Sequence, residues 1–328
     1  MKSVRVGVVG VGHLGRLHAL LYNKVPHAQL AGVFDISQET ARAVALEAGC
    51  RAFDSYADLL AEADAVNVVV PTTRHFEVAA EALRQGKHVF IEKPITSSLA
   101  EADELIRLAG EHGCLIQVGH IERFNQAMRA LSTVPLGPRF IESHRLATFN
   151  PRGTDVAVVL DLMIHDIDII LTLVKSPVVR IEANGVAVIS DEPDIANARI
   201  TFANGCVANV TASRISQKKM RKMRLFEKDS YISIDFLQGI TERFRLVANL
   251  PESEPTGVIM GKLEGKRTRY VYYERLQAPE GNALQIELEE FVQAILNGRR
   301  PRVTAEDGRN ALAVATQISE IIKRQSTD

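Results

Sequence analysis

The stretch VRVGVVGVGHLGRLHA, Val4 to Ala19, decides how this chain is read. Val4, Val6, Val8 and Val9 form a β-branched run of strand length, apolar enough to be buried on both faces of a parallel sheet. Gly10-Val11-Gly12-His13-Leu14-Gly15 follows, and then Leu14, Leu17, His18, Leu20 and Leu21 recur at helical spacing. The order is strand, tight glycine turn, helix. Gly10 permits the sharp turn, Gly12 lets bare backbone approach a pyrophosphate, and Gly15 lets the helix close on the strand. The helix start offers unpaired N–H groups and a partial positive charge to phosphates. His13 and Leu14, inside the turn, are expected to face the same ligand.

The surroundings strengthen this reading. A second strand, 29–34, ends on Asp35, twenty residues after Gly15. A carboxylate there accepts hydrogen bonds from both ribose hydroxyls of an adenosine. Ile36, Ser37 and Gln38 offer no cation for a 2′-phosphate, so the cofactor reads as NAD in preference to NADP. The rhythm then repeats, with helices at 38–47, 75–85 and 99–111 and strands at 63–71, 88–94 and 114–120. Such alternation implies a doubly wound parallel sheet, a Rossmann domain. Ligands bind beyond the carboxyl ends of these strands. Residues 71–75, 92–94 and 119–123 are therefore expected to line one crevice, with Pro71, Thr72, His75, Glu92 and Lys93 at the cofactor.

After about residue 120 the rhythm changes. Strands are expected at 139–149, 178–190, 197–203, 206–215, 222–226, 231–235 and 268–273, with helices at 156–174, 282–296 and 304–324 and a loop at 250–266. Successive strands with few helices between them imply an α+β domain on a mostly antiparallel sheet. The division reads as 1–120 and 121–328, with the last helix able to pack back on the first domain. Helix 156–174 is strongly apolar yet carries Asp161, His165, Asp166 and Asp168. On an unbroken helix Asp161 and His165 share a face, and Asp168 also reaches it. A buried histidine beside a carboxylate suits general base or acid work near neutral pH. One histidine and two aspartates are too few ligands to favour a metal.

Bulk properties exclude other classes. The chain has 328 residues, 24% of them charged, with 39 basic against 40 acidic side chains and a net charge of −1. Nothing in that balance draws it to nucleic acid or to an anionic membrane. Cys50, Cys114 and Cys206 form no CxxC pair and read as buried thiols in a reducing compartment. The apolar run 6–11 is too short and too rich in glycine for a secretion signal, and no stretch of membrane-spanning length follows. The expected location is the cytoplasm. The dense basic run KKMRKMR, Lys218 to Arg224, reads as a solvated or oligomer-edge strand.

The ordered set Gly10-x-Gly12-x-x-Gly15, Glu92-Lys93-Pro94, GHIERFN (119–125) and DLMIHDID (161–168) resembles the glucose-fructose oxidoreductase / inositol dehydrogenase (Gfo/Idh/MocA) family. The C-terminal RPRVTAEDGRNALAVA is also similar. The resemblance implies a Rossmann domain followed by an open-faced sheet used for oligomerisation, in a dimer or tetramer. It implies hydride transfer between nicotinamide and a sugar carbon, with Lys93 touching the reacting hydroxyl and Asp161 and His165 opposite the nicotinamide. In this family the peptide before Pro94 is often cis. His165 is preferred as the base, with Lys93 the alternative; Lys93 otherwise stabilises developing alkoxide charge. Segment 150–168 resembles the nucleotide-sugar members, which implies oxidation at C3 of UDP-GlcNAc. Arg123 and Arg152 are then expected to meet the substrate's phosphates, with Asn125 beside them. Gln126 stands where a proline is common, and Met163 where a glycine is common. The alternatives are a dehydrogenase of a free sugar or inositol and, from another class, a non-catalytic NAD(H)-binding sensor.

Overall fold

The computed structural model describes residues 3–132, 134–150, 156–248, 257–265 and 268–325. The chain opens with β1 (Val4–Val9), α1 (His13–Tyr22), β2 (Ala28–Phe34), α2 (Gln38–Ala48), β3 (Arg51–Ala52), α3 (Tyr56–Glu62) and β4 (Ala65–Val68). It continues with α4 (His75–Arg84), β5 (His88–Glu92), α5 (Leu99–His112) and β6 (Ile116–Gly119). These six strands form one parallel sheet in the order β3-β2-β1-β4-β5-β6. The order reverses beside β1, so the crevice beyond its carboxyl end is the place for a ligand. Local chemistry sets the helix bounds. Ser37, Ser55 and Ser98 cap α2, α3 and α5, and left-handed Gly49 and Gly113 end α2 and α5.

The remaining elements are α6 (Gln126–Arg129), β7 (Phe140–Leu146), a π-turn (Val159–Met163), α7 (Ile164–Val174), β8 (Val178–Val186), β9 (Ile195–Phe202) and β10 (Val207–Ser213). They are followed by β11 (Met220–Phe226), β12 (Ser230–Asp235), β13 (Ile240–Val247), β14 (Gly257–Leu263), β15 (Arg269–Leu276), α8 (Ala283–Asn297) and α9 (Ala305–Gln325). Nine strands form a second sheet, ordered β14-β15-β13-β12-β11-β7-β10-β9-β8. Every pairing in it is antiparallel except β7 with β10. One face is dry and meets α7, where Asp166 receives Arg145 and Ser143 of β7. The other carries a half-buried aromatic row, Phe140, Phe226, Tyr231, Phe244 and Tyr273, with neighbouring rings 5.1–5.5 Å apart.

The chain divides into two compact units. The first is the chain up to Phe124 with Gly281–Ala313, and the second is Asn125–Glu280 with the chain from Val314. Residues 121–124 and α8 therefore belong with the Rossmann sheet, which differs from a boundary at 120. The reason is apolar: Leu284, Leu288, Phe291 and Val292 of α8 join Val4, Val6 and Val8 of β1 in one core. The short β3 and α3 escape periodicity because each is too brief to show it. In β13, charged residues punctuate both faces, which hid the strand. β14 occupies much of the expected loop 250–266; residues 250–256 and 266 of that loop lie outside the described residues. No described helix is long and apolar enough to cross a membrane.

Candidate active site

The glycine turn is assembled as its chemistry requires. Gly10 has φ +81°, and a Cβ there would lie 2.8 Å from the Val69 carbonyl oxygen. At Gly15 a Cβ would lie 1.8 Å from the Gly10 oxygen, so any side chain would push α1 off β1. Around Gly12 nothing lies within 4 Å of such a Cβ. Two glycines thus serve packing, and the third keeps a surface open. Gly12, His13 and Leu14 are all exposed. The start of α1 has no side-chain cap, whereas α2, α3, α5 and α8 each begin with a serine or asparagine accepting from an amide. Exposed, uncapped amides at a helix N-terminus suit a pyrophosphate.

Asp35 is fixed at the mouth of this turn. Its Oδ2 accepts from the Val11 amide at 2.8 Å and its Oδ1 from the Ser37 amide at 2.9 Å. The carboxylate is half-exposed, with lone pairs left for ribose hydroxyls. Its charge would repel a 2′-phosphate. The donor set and the open Gly12 surface fit a dinucleotide.

At the end of β5, a polar chain runs inward from the sheet's carboxyl edge. The Tyr22 hydroxyl donates to Asn67 Oδ1 at 2.6 Å, and Asn67 Nδ2 lies 2.9 Å from His18 Nδ1. That orientation makes the histidine nitrogen the acceptor and leaves its Nε2 proton for Glu92 Oε1, 3.2 Å away. Glu92 Oε2 in turn accepts from the Lys93 amide at 3.2 Å. Burial pushes the Glu92 carboxyl up, but the hydrogen bond from His18, with the Lys93 charge and amide, outweighs it and holds it below the usual range. The Lys93–Pro94 peptide is cis. Lys93 itself is half-buried.

Two expected cofactor contacts belong to this scaffold. His75 is 1% exposed, with Nδ1 2.9 Å from the Pro94 oxygen and Nε2 2.9 Å from the Val70 oxygen. It fastens the loop after β4 to the loop after β5 and reaches no ligand surface. Burial pushes its pKa down by more than the two carbonyls raise it. Glu92 likewise turns to His18, supporting Lys93 from behind. Pro71 is exposed and Thr72 half-buried, on the turn that His75 anchors.

In the second unit, Asp161 sits in the π-turn and His165 at the second residue of α7. The expected helix 156–174 is therefore not uniform. The extra residue per turn resets the phase ahead of His165, so simple four-residue stacking does not carry over. Both side chains are half-buried. Asp166 faces the sheet, with Arg145 Nε at 2.6 Å and Ser143 Oγ at 2.9 Å. Asp168 is buried. Asp161 lines a cavity with Asn150 and the cations Arg214, Lys219 and Arg221, the last two from the basic run expected to be a solvated or oligomer-edge strand.

The cations expected at the substrate fare differently. Arg123 is buried, its Nη1 3.2 Å from Asp307 and 3.4 Å from the Arg302 oxygen, which makes it an internal strut of the first unit. Asn125 caps α6 by accepting from the Ala127 amide at 3.0 Å and donates to the Phe236 oxygen at 3.0 Å, so it is structural as well. Arg152 lies outside the described residues.

A parallel Rossmann sheet with an open, uncapped glycine turn ending against Asp35 defines a dinucleotide-binding oxidoreductase fold. Residues 4–120 match the oxidoreductase family with NAD-binding Rossmann fold, and 132–232 match the GFO/IDH/MocA C-terminal domain. The chain belongs to the Gfo/Idh/MocA oxidoreductase family. It is 42% identical over 319 residues to the UDP-N-acetylglucosamine 3-dehydrogenase of Acidithiobacillus ferrooxidans, covering 97% of each chain. A solved structure of that enzyme matches with a TM-score of 0.89, 41% identity and 99% coverage of both chains. The NAD(+)-dependent scyllo-inositol 2-dehydrogenase of Bacillus subtilis is 28% identical over 95% of this chain and 92% of its own.

Proposed function

We propose that the protein oxidises the C3 hydroxyl of UDP-GlcNAc with NAD. The observation that carries this reading is the full-length 42% identity to a UDP-N-acetylglucosamine 3-dehydrogenase. Gly10, Gly12, Gly15, Asp35 and the exposed start of α1 would hold the dinucleotide, which supplies the hydride acceptor. The C3–H electron pair leaves with hydrogen as hydride, and the hydroxyl proton must leave with it. His165 accepts that proton, and Asp161 orients the sugar. Lys93 donates to the reacting oxygen and stabilises its developing negative charge. The Tyr22–Asn67–His18–Glu92 chain holds the Lys93 main chain in place. The products are a 3-keto nucleotide sugar, NADH and a proton. We read the protein as a cytoplasmic homo-oligomer, paired through the aromatic face of the nine-stranded sheet; light scattering tests that pairing.

The test is NADH absorbance on mixing the protein with NAD⁺ and UDP-GlcNAc, with NADP⁺ and with myo- and scyllo-inositol as parallel arms. Turnover is expected with UDP-GlcNAc and NAD⁺, and less with NADP⁺. Turnover of an inositol, with none of any nucleotide sugar, would overturn the substrate assignment.

A further inference from the structure

The cavity beside Asp161 has a volume of about 290 Å³. That is the small end of ligand sites, which run about 300–1,000 Å³. Its described lining brings Arg214, Lys219 and Arg221 to the same space as Asp161. Arg214 is already committed to the wall. Its Nε lies 3.1 Å from Asp194, and its Nη2 donates to the Val156 and Pro193 oxygens at 2.6 and 3.3 Å. Lys219 and Arg221 have a different origin, in the basic run KKMRKMR.

The pleat sorts that run. β11 lies antiparallel to β7, with Arg221 opposite Arg145, Met223 opposite Ser143 and Leu225 opposite Ile141. Met223 and Leu225 are buried on the face that meets α7, as are Arg145, Ser143 and Ile141 of β7. Alternation puts Arg221 on that face too, at the strand end where the cavity opens. Lys219, two residues earlier, shares the cavity. Lys222 and Arg224 fall on the opposite face, 3.2 Å from Asp235 and 3.5 Å from Glu142. One basic run therefore serves two purposes. Two cations balance acids on the aromatic face, and two exposed cations line the cavity together with Asp161.

We propose that Lys219 and Arg221 bind the phosphates of the substrate, in the same cavity that Asp161 offers to the sugar. The two positive charges match the two negative charges of a sugar diphosphate ester, and the Arg221 fork suits phosphate oxygens. This rests on the nucleotide-sugar reading above and extends it: the pair selects phosphorylated sugars over inositols, which carry no charge.

The experiment measures binding of UDP and of inorganic pyrophosphate to the NADH-loaded protein by calorimetry, alongside steady-state kinetics with UDP-GlcNAc. The variants are Arg221→Gln, Lys219→Gln and Arg221→Lys, with Lys222→Gln and Arg224→Gln as opposite-face controls. Lys219 precedes β11, so its substitution leaves the strand intact if Arg221→Gln unfolds. Expected is a rise of about tenfold or more in Kd for UDP and in KM for UDP-GlcNAc for each Gln variant, with kcat changed far less. Arg221→Lys should recover part of the loss, and the controls should bind as wild type does. UDP affinity unchanged in both Gln variants, equal loss in the controls, or a wild-type protein that binds neither UDP nor pyrophosphate overturns the proposal. If UDP binding depends on Arg221 but no nucleotide sugar is oxidised, the phosphate site stands and the proposed function fails. If UDP-GlcNAc is oxidised and neither substitution moves its KM, the function stands and the phosphate site fails.

Discussion

The β1–α1 junction and the cavity beside Asp161 are built from different materials. The junction is main chain: three glycines, a row of exposed amides and one carboxylate that braces them. The cavity is side chain: Asp161 from a π-turn, Arg214 after β10, and Lys219 and Arg221 at the start of β11. A backbone site tolerates little change of residue but makes few demands on chemistry elsewhere. A side-chain site can be retuned one residue at a time, and each cation needs its own support.

The sharpest way to break that contrast is His165→Ala. A lost general base costs about 10²–10⁴ in kcat. NAD⁺ affinity, measured by fluorescence titration, should stay at the wild-type value, because the proposed dinucleotide site is made of the glycines, the α1 amides and Asp35. Weakened NAD⁺ binding would show that the two sites do not separate as argued.

Next in size is Asp194→Asn, which tests the support of the cavity wall. The Asp194 side chain is 0% exposed and sits 3.1 Å from Arg214. Leaving Arg214 buried without its partner should cost about 3–5 kcal/mol in urea unfolding. Burial pushes this carboxyl up, but the Ile189, Ser190 and Val188 amides and the Ser190 hydroxyl outweigh that and hold it well below the usual range. With the folded-state pKa depressed, the stabilisation is present above about pH 4, the ordinary value, and is lost as pH falls below it. The gap between variant and wild type should therefore narrow in acid. A constant gap from pH 7 to pH 3 would remove the ionised carboxylate from the account.

The same contrast explains what could be read in advance. A backbone site must write itself into contiguous residues, so Gly10, Gly12, Gly15 and Asp35 announced both the turn and the sheet around it. Lys93 and His165 stood out because cations and imidazoles interrupt apolar runs. Arg123 and Asn125 looked equally available, but only tertiary packing shows Asp307 and the Phe236 oxygen taking them. His75 was misread for the same reason, since nothing local reveals that two carbonyls from different loops converge on it. The cations of β11 were visible as a run, and strict alternation could have divided them. Their pairing with β7, some eighty residues earlier, could not be seen. The π-turn at 159–163 leaves no periodic signature, because it alters the phase of a helix whose pattern is otherwise apolar.

The smallest effects separate the two roles of glycine within the junction itself. Gly15→Ala places a Cβ 1.8 Å from the Gly10 oxygen, a main-chain atom that cannot yield without moving α1. Overpacking of this kind should cost about 1–3 kcal/mol, read in thermal or urea unfolding, and weaken NAD⁺ in proportion to the displaced helix start. Gly12→Ala meets no atom within 4 Å, and Gly12 has a negative φ of −62°, a value open to alanine. Its stability should therefore stay within about 0.5 kcal/mol of wild type. Its methyl group would instead stand where the pyrophosphate approaches, so the Kd for NAD⁺ should rise about tenfold with the fold intact. If Gly12→Ala lost stability and kept its affinity, Gly12 would be another packing glycine, and the phosphates would have to rest elsewhere along the start of α1.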